Sequence, residues 1–130
     1  MKNWTGIAII MVLIGWSMES CTRYTCEDFK TGEYRYADEN FKDVRVTRTE
    51  TEQTEYSQRN GKDVADIYSI VWDGPCSHNL IFKSTNSEVD QFHTKYDTIR
   101  VRIVEITDKG YVFETFLNGQ NPSGELIKVK

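Results

Sequence analysis

Arg48, Gln53 and Glu55 are the residues of this chain whose types and spacing best suit binding chemistry. A guanidinium holds a carboxylate or another anion through paired N–H donors, and a neighbouring glutamate fixes its orientation. A turn at Glu50-Thr51 sets Arg48 opposite Gln53 and Glu55 opposite Val46, which makes Arg48 and Glu55 diagonal neighbours on one face. Val44 and Val46 mark that face as the inner one, because side chains alternate along a strand. Arg48 then points inward, near a barrel mouth. Three readings stay open: an anchor for an anionic ligand, an ion pair holding two strands in register, or a solvated face. Other chemistry has less support. His78 and His93 are fifteen residues apart, with no cysteine or carboxylate at metal-ligand spacing. No Gly-x-Ser-x-Gly or comparable nucleophile motif occurs. The eight glycines are scattered and form no phosphate loop. Carboxylates are too many for a glycosidase-like pair to be named. The expectation is a protein that is not an enzyme, with no catalytic residue, metal or cofactor.

The elements that must position these residues read as strands. From Thr31 onward, short segments rich in Tyr, Phe, Val, Ile and Thr are broken by Gly, Asn and Asp. Tyr34 and Tyr36 alternate with Glu33 and Arg35, and Val44 and Val46 with Arg45 and Thr47. Gln53 to Gln58 follows and ends at Asn60-Gly61, the strongest short hairpin signal. Ala65 to Asp73 carries apolar residues on both faces, Tyr68, Ile70 and Trp72 on one and Ile67 and Val71 on the other, so it is expected to be the most buried strand. Gly74-Pro75 ends it. His78, Leu80 and Phe82 alternate next; Ser84 to Thr98 is the longest connection, with a short helix expected near Ser87 to Phe92. Ile99, Val101 and Ile103 alternate with Arg100 and Arg102. Asp108-Lys109-Gly110 turns the chain into Tyr111 to Leu117, and Glu125 to Val129 closes the series. The fold class is all-β: a small antiparallel up-and-down barrel or twisted sandwich of about eight strands, after an N-terminal signal segment. Tyr34, Tyr36, Val44, Val46, Tyr68, Ile70, Trp72, Leu80, Phe82, Ile99, Val101, Ile103 and Phe113 form the expected core.

Composition narrows the setting. Met1-Lys2-Asn3 is a short positive start, and Gly6 to Trp16 is an apolar run of eleven, too short to span a bilayer but suited to a signal-peptide core. Removing residues 1–20 leaves 110, enough for one small domain. The removed part holds one charge of each sign, so the net charge stays at -4. With basic residues dispersed, that balance argues against nucleic acid as a partner. Of three cysteines, Cys21 ends the signal segment; Cys26 and Cys76 remain, and an even pair in an oxidising compartment reads as a disulfide.

Ser20-Cys21 after the apolar run resembles the lipobox of bacterial lipoproteins, in which the cysteine is lipidated and becomes the first mature residue. The organisation implied is signal peptide 1–20, lipidated tether 21–28 and β domain 29–130. Cys26, Phe29-Lys30-Thr31-Gly32, Arg48, the Gln53-x-Glu55 pair and Trp72-x-x-x-Cys76 together resemble a group of short lipoproteins of Gram-negative bacteria, over most of residues 26–130. No activity comes with that resemblance, and His78 stands where the group often has an aromatic residue. The strand count and the early Thr31-Gly32 are similar to lipocalin-like barrels, though the Gly-x-Trp signature of lipocalins is missing. Asp97-Thr98-Ile99 is similar to an O-glycosylation site of some exported bacterial proteins, with Thr98 as acceptor. These features imply an outer-membrane lipoprotein anchored through its lipid and facing the periplasm, while residues 22–25 lack the acidic run of a surface-export tag. The expected role is a binding or interaction module whose partner is a small ligand or an envelope protein. A small-ligand carrier requires an open cavity lined by Arg48; an inhibitor or envelope-assembly factor requires a filled barrel and an exposed apolar patch.

Overall fold

The computed structural model describes residues 23–88, 98–116, 119 and 121–130. Eight strands follow one another: β1 Gly32–Tyr36, β2 Arg45–Arg48, β3 Glu52–Arg59, β4 Lys62–Gly74, β5 Ser77–Thr85, β6 Thr98–Ile106, β7 Gly110–Phe116 and β8 Ser123–Lys128. Each pairs antiparallel with the next, and β8 returns to β1, so the sheet closes on itself as an up-and-down barrel. Closure decides between the two architectures open to the sequence: the sandwich is ruled out. It also gives every strand a neighbour on both sides.

Local chemistry explains the turns. Asn60 and Gly61 both adopt positive φ, 53° and 73°, the left-handed pair that a two-residue hairpin needs between β3 and β4. Gly110 opens β7 where a Cβ would lie 1.9 Å from the Leu126 carbonyl oxygen of β8, so only glycine lets the strands approach. Register shifts at Ile67/Tyr68, Trp72/Gly74 and Ile103/Glu105 add the local bends that a short closed sheet requires.

β4 holds more buried residues than any other strand, as expected, but on one face only. Val64, Asp66, Tyr68 and Ile70 are buried, but Val71 is 49% exposed and Ile67 and Ser69 are only half-buried. The strand is one-sided. A barrel has a single interior, and no described residues form a second layer over its outer face, so apolar residues on both faces did not signal double burial.

The core forms two connected clusters. Phe29, Tyr34, Val46, Ile103, Tyr111 and Leu126 fill one end, and Tyr68, Ile70, Leu80 and Val101 fill the middle, with Trp72 and Phe113 packed against both. Seven residues of the expected core are buried, and Tyr36, Trp72, Phe82, Ile99 and Phe113 are half-buried beside them. Val44 is half-buried at the opposite end.

The first cluster is closed from below by a plug. Thr25 caps a 3-10 turn, Cys26–Phe29, exchanging bonds with Asp28: its amide donates to Asp28 Oδ2 at 2.7 Å, and it accepts from the Asp28 amide at 3.1 Å. Phe29 is fully buried and stacks against Tyr24 and Tyr111. The Cys26–Cys76 disulfide is present, with Cα atoms 5.3 Å apart, and ties the plug to the β4–β5 turn. Tyr24, Cys26 and Asp28, inside the stretch read as a tether, thus belong to the packed plug. A second 3-10 turn, Glu39–Phe41, lies between β1 and β2 at the far end, where Asp38 caps it and Phe41 rests on Tyr36. The expected short helix near Ser87 to Phe92 falls mostly outside the described residues, and β5 extends to Thr85, past its expected end.

Candidate functional site

Alternation along β2 turns Val46 and Arg48 inward, and the β2–β3 register is the one the spacing implies: Arg48 faces Gln53 and Val46 faces Glu55. What the register did not convey is the level in the barrel. Arg48 ends β2 beside the plug, so it sits at the closed end and not near the mouth. There it is 5% exposed. Its Nε and Nη2 donate to Gln53 Oε1 at 2.9 and 2.7 Å, Nη1 donates to the Phe29 carbonyl at 2.6 Å, and Nη2 donates to the Tyr111 hydroxyl at 2.8 Å. The guanidinium also lies over the Tyr34 ring, 4.8 Å from its centroid.

Neither the solvated face nor the direct ion pair survives. Gln53 stands between the two charges: its Oε1 accepts from Arg48, and its Nε2 donates to Glu55 Oε1 at 3.3 Å. Among the described residues no carboxylate lies within ion-pair distance of Arg48. The buried cation is thus solvated by neutral oxygens and aromatic faces. Glu55 has a different partner, since Asp66 of β4 is directly opposite. Burial and then the Asp66 carboxylate raise the Glu55 pKa above the ordinary carboxylate range, against the Gln53 hydrogen bond and the Arg48 charge. Asp66 is itself buried, accepting from Thr85 Oγ1 at 2.6 Å and from Arg59 at 3.2 Å.

Two buried aromatics complete the closed end. Tyr111 is pushed to higher pKa by burial despite Arg48, so its hydroxyl keeps its proton. That hydroxyl accepts from Arg48, and no acceptor for its own hydrogen occurs among the described residues. His78 of β5 is 1% exposed, with its ring 4.5 Å from that of Trp72, its cross-strand partner. Burial, then the Arg48 charge, lower its pKa to about 3, so the ring is neutral at physiological pH. His78 Nδ1 and Trp72 Nε1 are both buried without a hydrogen-bond partner. Such orphaned groups are rare in native interiors.

These side chains surround an open space. An inner chamber of about 180 Å³ has Arg48, His78 and Tyr111 at the plugged end and Leu80, Val101 and Phe113 along its walls. Tyr36 and Glu55 line both this chamber and a vestibule of about 460 Å³ at the far end, which Phe41, Arg59 and Asp66 also border. Tyr36 and Glu55 therefore stand at the boundary of the two.

Arg48, Gln53 and Glu55 are thus brought together as a chain, not as a pair. His78, expected only to lack metal-ligand spacing, and Tyr111 and Asp66, not expected as site residues, join them there. A signal for each existed: His78 shares the inward parity of Leu80 and Phe82, Asp66 that of Tyr68 and Ile70, and Tyr111 that of Phe113. Thr98 is exposed at the start of β6, whereas Cys21, His93 and Asp97 lie outside the described residues. No group of three or more potential metal-ligating side chains occurs among the described residues.

No family model and no curated protein matches the chain. Among solved structures, a lipocalin-like protein from Bacteroides uniformis ATCC 8492 is similar, with a TM-score of 0.52 and 13% identity over 76% of this chain and 97% of that one. At that identity the likeness is one of fold. The barrel is similar in fold to that lipocalin-like protein.

Proposed function

We propose that this protein is a lipid-anchored envelope protein whose barrel binds a small molecule in its inner chamber, without catalysing a reaction. The observation that carries the reading is the chamber itself, a cavity lined by Arg48 inside an otherwise close-packed core. A filled barrel would have favoured the inhibitor or assembly factor. Lipid attachment at Cys21, an outer-membrane location facing the periplasm, and glycosylation at Thr98 belong to the same proposal; the apolar run ending at Ser20-Cys21 and the Asp97-Thr98-Ile99 triplet support them.

The test is native mass spectrometry of the full chain purified from its own envelope, beside a variant with Val101→Phe, which fills the chamber. Wild type is expected to carry an added small-molecule mass that the variant lacks, and its melting point should rise in envelope extract. A ligand-free wild type that ignores extract, with a variant more stable than wild type, would make the chamber a packing defect and end the carrier reading.

A further inference from the structure

We propose, resting on the ligand-binding reading above, that the inner chamber receives a compact organic acid of about one ring in size, with its carboxylate held at the plugged end by Arg48, Tyr111 and His78. Charge is the first argument. Arg48 is buried and every acceptor it has is a neutral oxygen, from Gln53, Phe29 and Tyr111. A cation taken out of water without a counter-ion is costly, and a carboxylate arriving within reach of it removes that cost.

Donors are the second. The Tyr111 hydroxyl, already accepting from Arg48, has its hydrogen to give, and acceptance from a cation strengthens it as a donor. His78 Nδ1 is buried without a partner, and the neutral imidazole lines the same chamber. Its tautomer follows from what it meets: a carboxylate would select the Nδ1–H form. By contrast, the Tyr34 hydroxyl at this end already donates to the Thr31 carbonyl at 2.6 Å and has nothing to offer.

Size and surroundings set the rest of the ligand. A dry cavity of about 150 Å³ holds benzene. At about 180 Å³, this chamber has room for one ring or a short chain with a small polar head. A long aliphatic chain would have to leave this chamber past Tyr36 and Glu55, into a vestibule that sets Arg59 and Asp66 beside Phe41 and Val44. Leu80, Val101 and Phe113 suit a short apolar body packed against their side chains.

The experiment is calorimetric titration of the full chain in nanodiscs with benzoate, with its neutral isostere benzamide, and with hexanoate. Benzoate and hexanoate are expected to bind at least tenfold more tightly than benzamide. Tyr111→Phe deletes one hydroxyl and keeps the ring; it should weaken benzoate about tenfold and leave benzamide within twofold. His78→Phe, whose fold is checked by its melting transition, should weaken benzoate in the same direction. Equal affinity for benzoate and benzamide would overturn the proposal, since the chamber would then select shape without charge. If none of the probes binds while the melting point still responds to envelope extract, the acid is wrong and the carrier stands. If none binds and extract has no effect, both readings fall.

Discussion

Replacing His78 by leucine should flatten the acid side of the stability curve. In the native barrel the ring is neutral, its pKa lowered to about 3 from 6.5, first by burial and then by Arg48. The unfolded chain has no such constraint and takes up a proton as pH falls through 6.5. Stability owed to the neutral ring is therefore complete above about pH 7. It is lost as pH falls below 6.5, and the loss levels off only near 3, where the native ring also protonates. At pH 5 the unfolded ring is about 97% protonated and the native ring essentially not, a difference of about 2 kcal/mol. For a domain of this size that corresponds to roughly 10 °C in Tm. Urea unfolding at pH 7.5 and pH 5.0 reads the effect directly. Wild type should lose about 2 kcal/mol more than His78→Leu between the two conditions. Glu55 acts with the opposite sign, because its raised pKa keeps a proton on the native carboxyl that the unfolded chain releases, so its contribution fades as pH rises. It is present in both proteins and cancels in the comparison. Equal losses in wild type and variant would refute the neutral buried imidazole.

Three further outcomes are expected. Reducing the Cys26–Cys76 disulfide, which closes a separation of 50 residues, should cost about 4 kcal/mol in urea unfolding on the chain-entropy account, and peptide mapping without reductant should recover the linked pair. Arg48→Met strands the Gln53 and Phe29 oxygens while relieving a buried charge, so a net loss on the order of 3 kcal/mol is expected; a change within about 0.5 kcal/mol would show the network to be idle. Membrane fractionation with mass analysis of the N-terminal peptide should find Cys21 acylated, and a soluble chain that starts elsewhere would exclude the lipid anchor.

The barrel was legible because its information is local and binary. Alternation in β1, β2, β5 and β6 states which side of the sheet each residue faces, and Asn60-Gly61 and Asp108-Lys109-Gly110 place hairpins where the backbone needs positive φ or a missing Cβ. With eight such strands and short links, antiparallel neighbours follow. Closure does not, because the β1–β8 pairing joins residues almost a hundred positions apart, Tyr34 with Lys128, and no pattern in either strand names the other. Double burial of β4 failed for the same reason. Val71 is as apolar in a barrel wall as in a sandwich, and it is exposed here because it stands on the outer face of the barrel.

The site shows what parity leaves out. Parity turned Arg48 inward and placed it across from Gln53, yet it assigns no height. That depends on Phe29, nineteen residues earlier, folding back beneath the barrel to offer its carbonyl, and on Tyr111, sixty-three residues later, arriving from β7. Both contacts are products of closure. Diagonal spacing brought Glu55 near enough to suggest an ion pair, but a glutamine on the direct line between two charges is a better partner for each: its oxygen faces the cation, its amide nitrogen the carboxyl. Glu55 is then left to Asp66, whose inward position is also plain from parity and whose effect on its neighbour is not. Asp66 and His78 are polar residues at inward positions inside apolar alternations. In a barrel with one small interior, each must be satisfied by a neighbour or by something that comes in from outside. Asp66 has Thr85 and Arg59. His78 Nδ1 has no protein partner among the described residues, and it lines the chamber beside a guanidinium with no counter-ion.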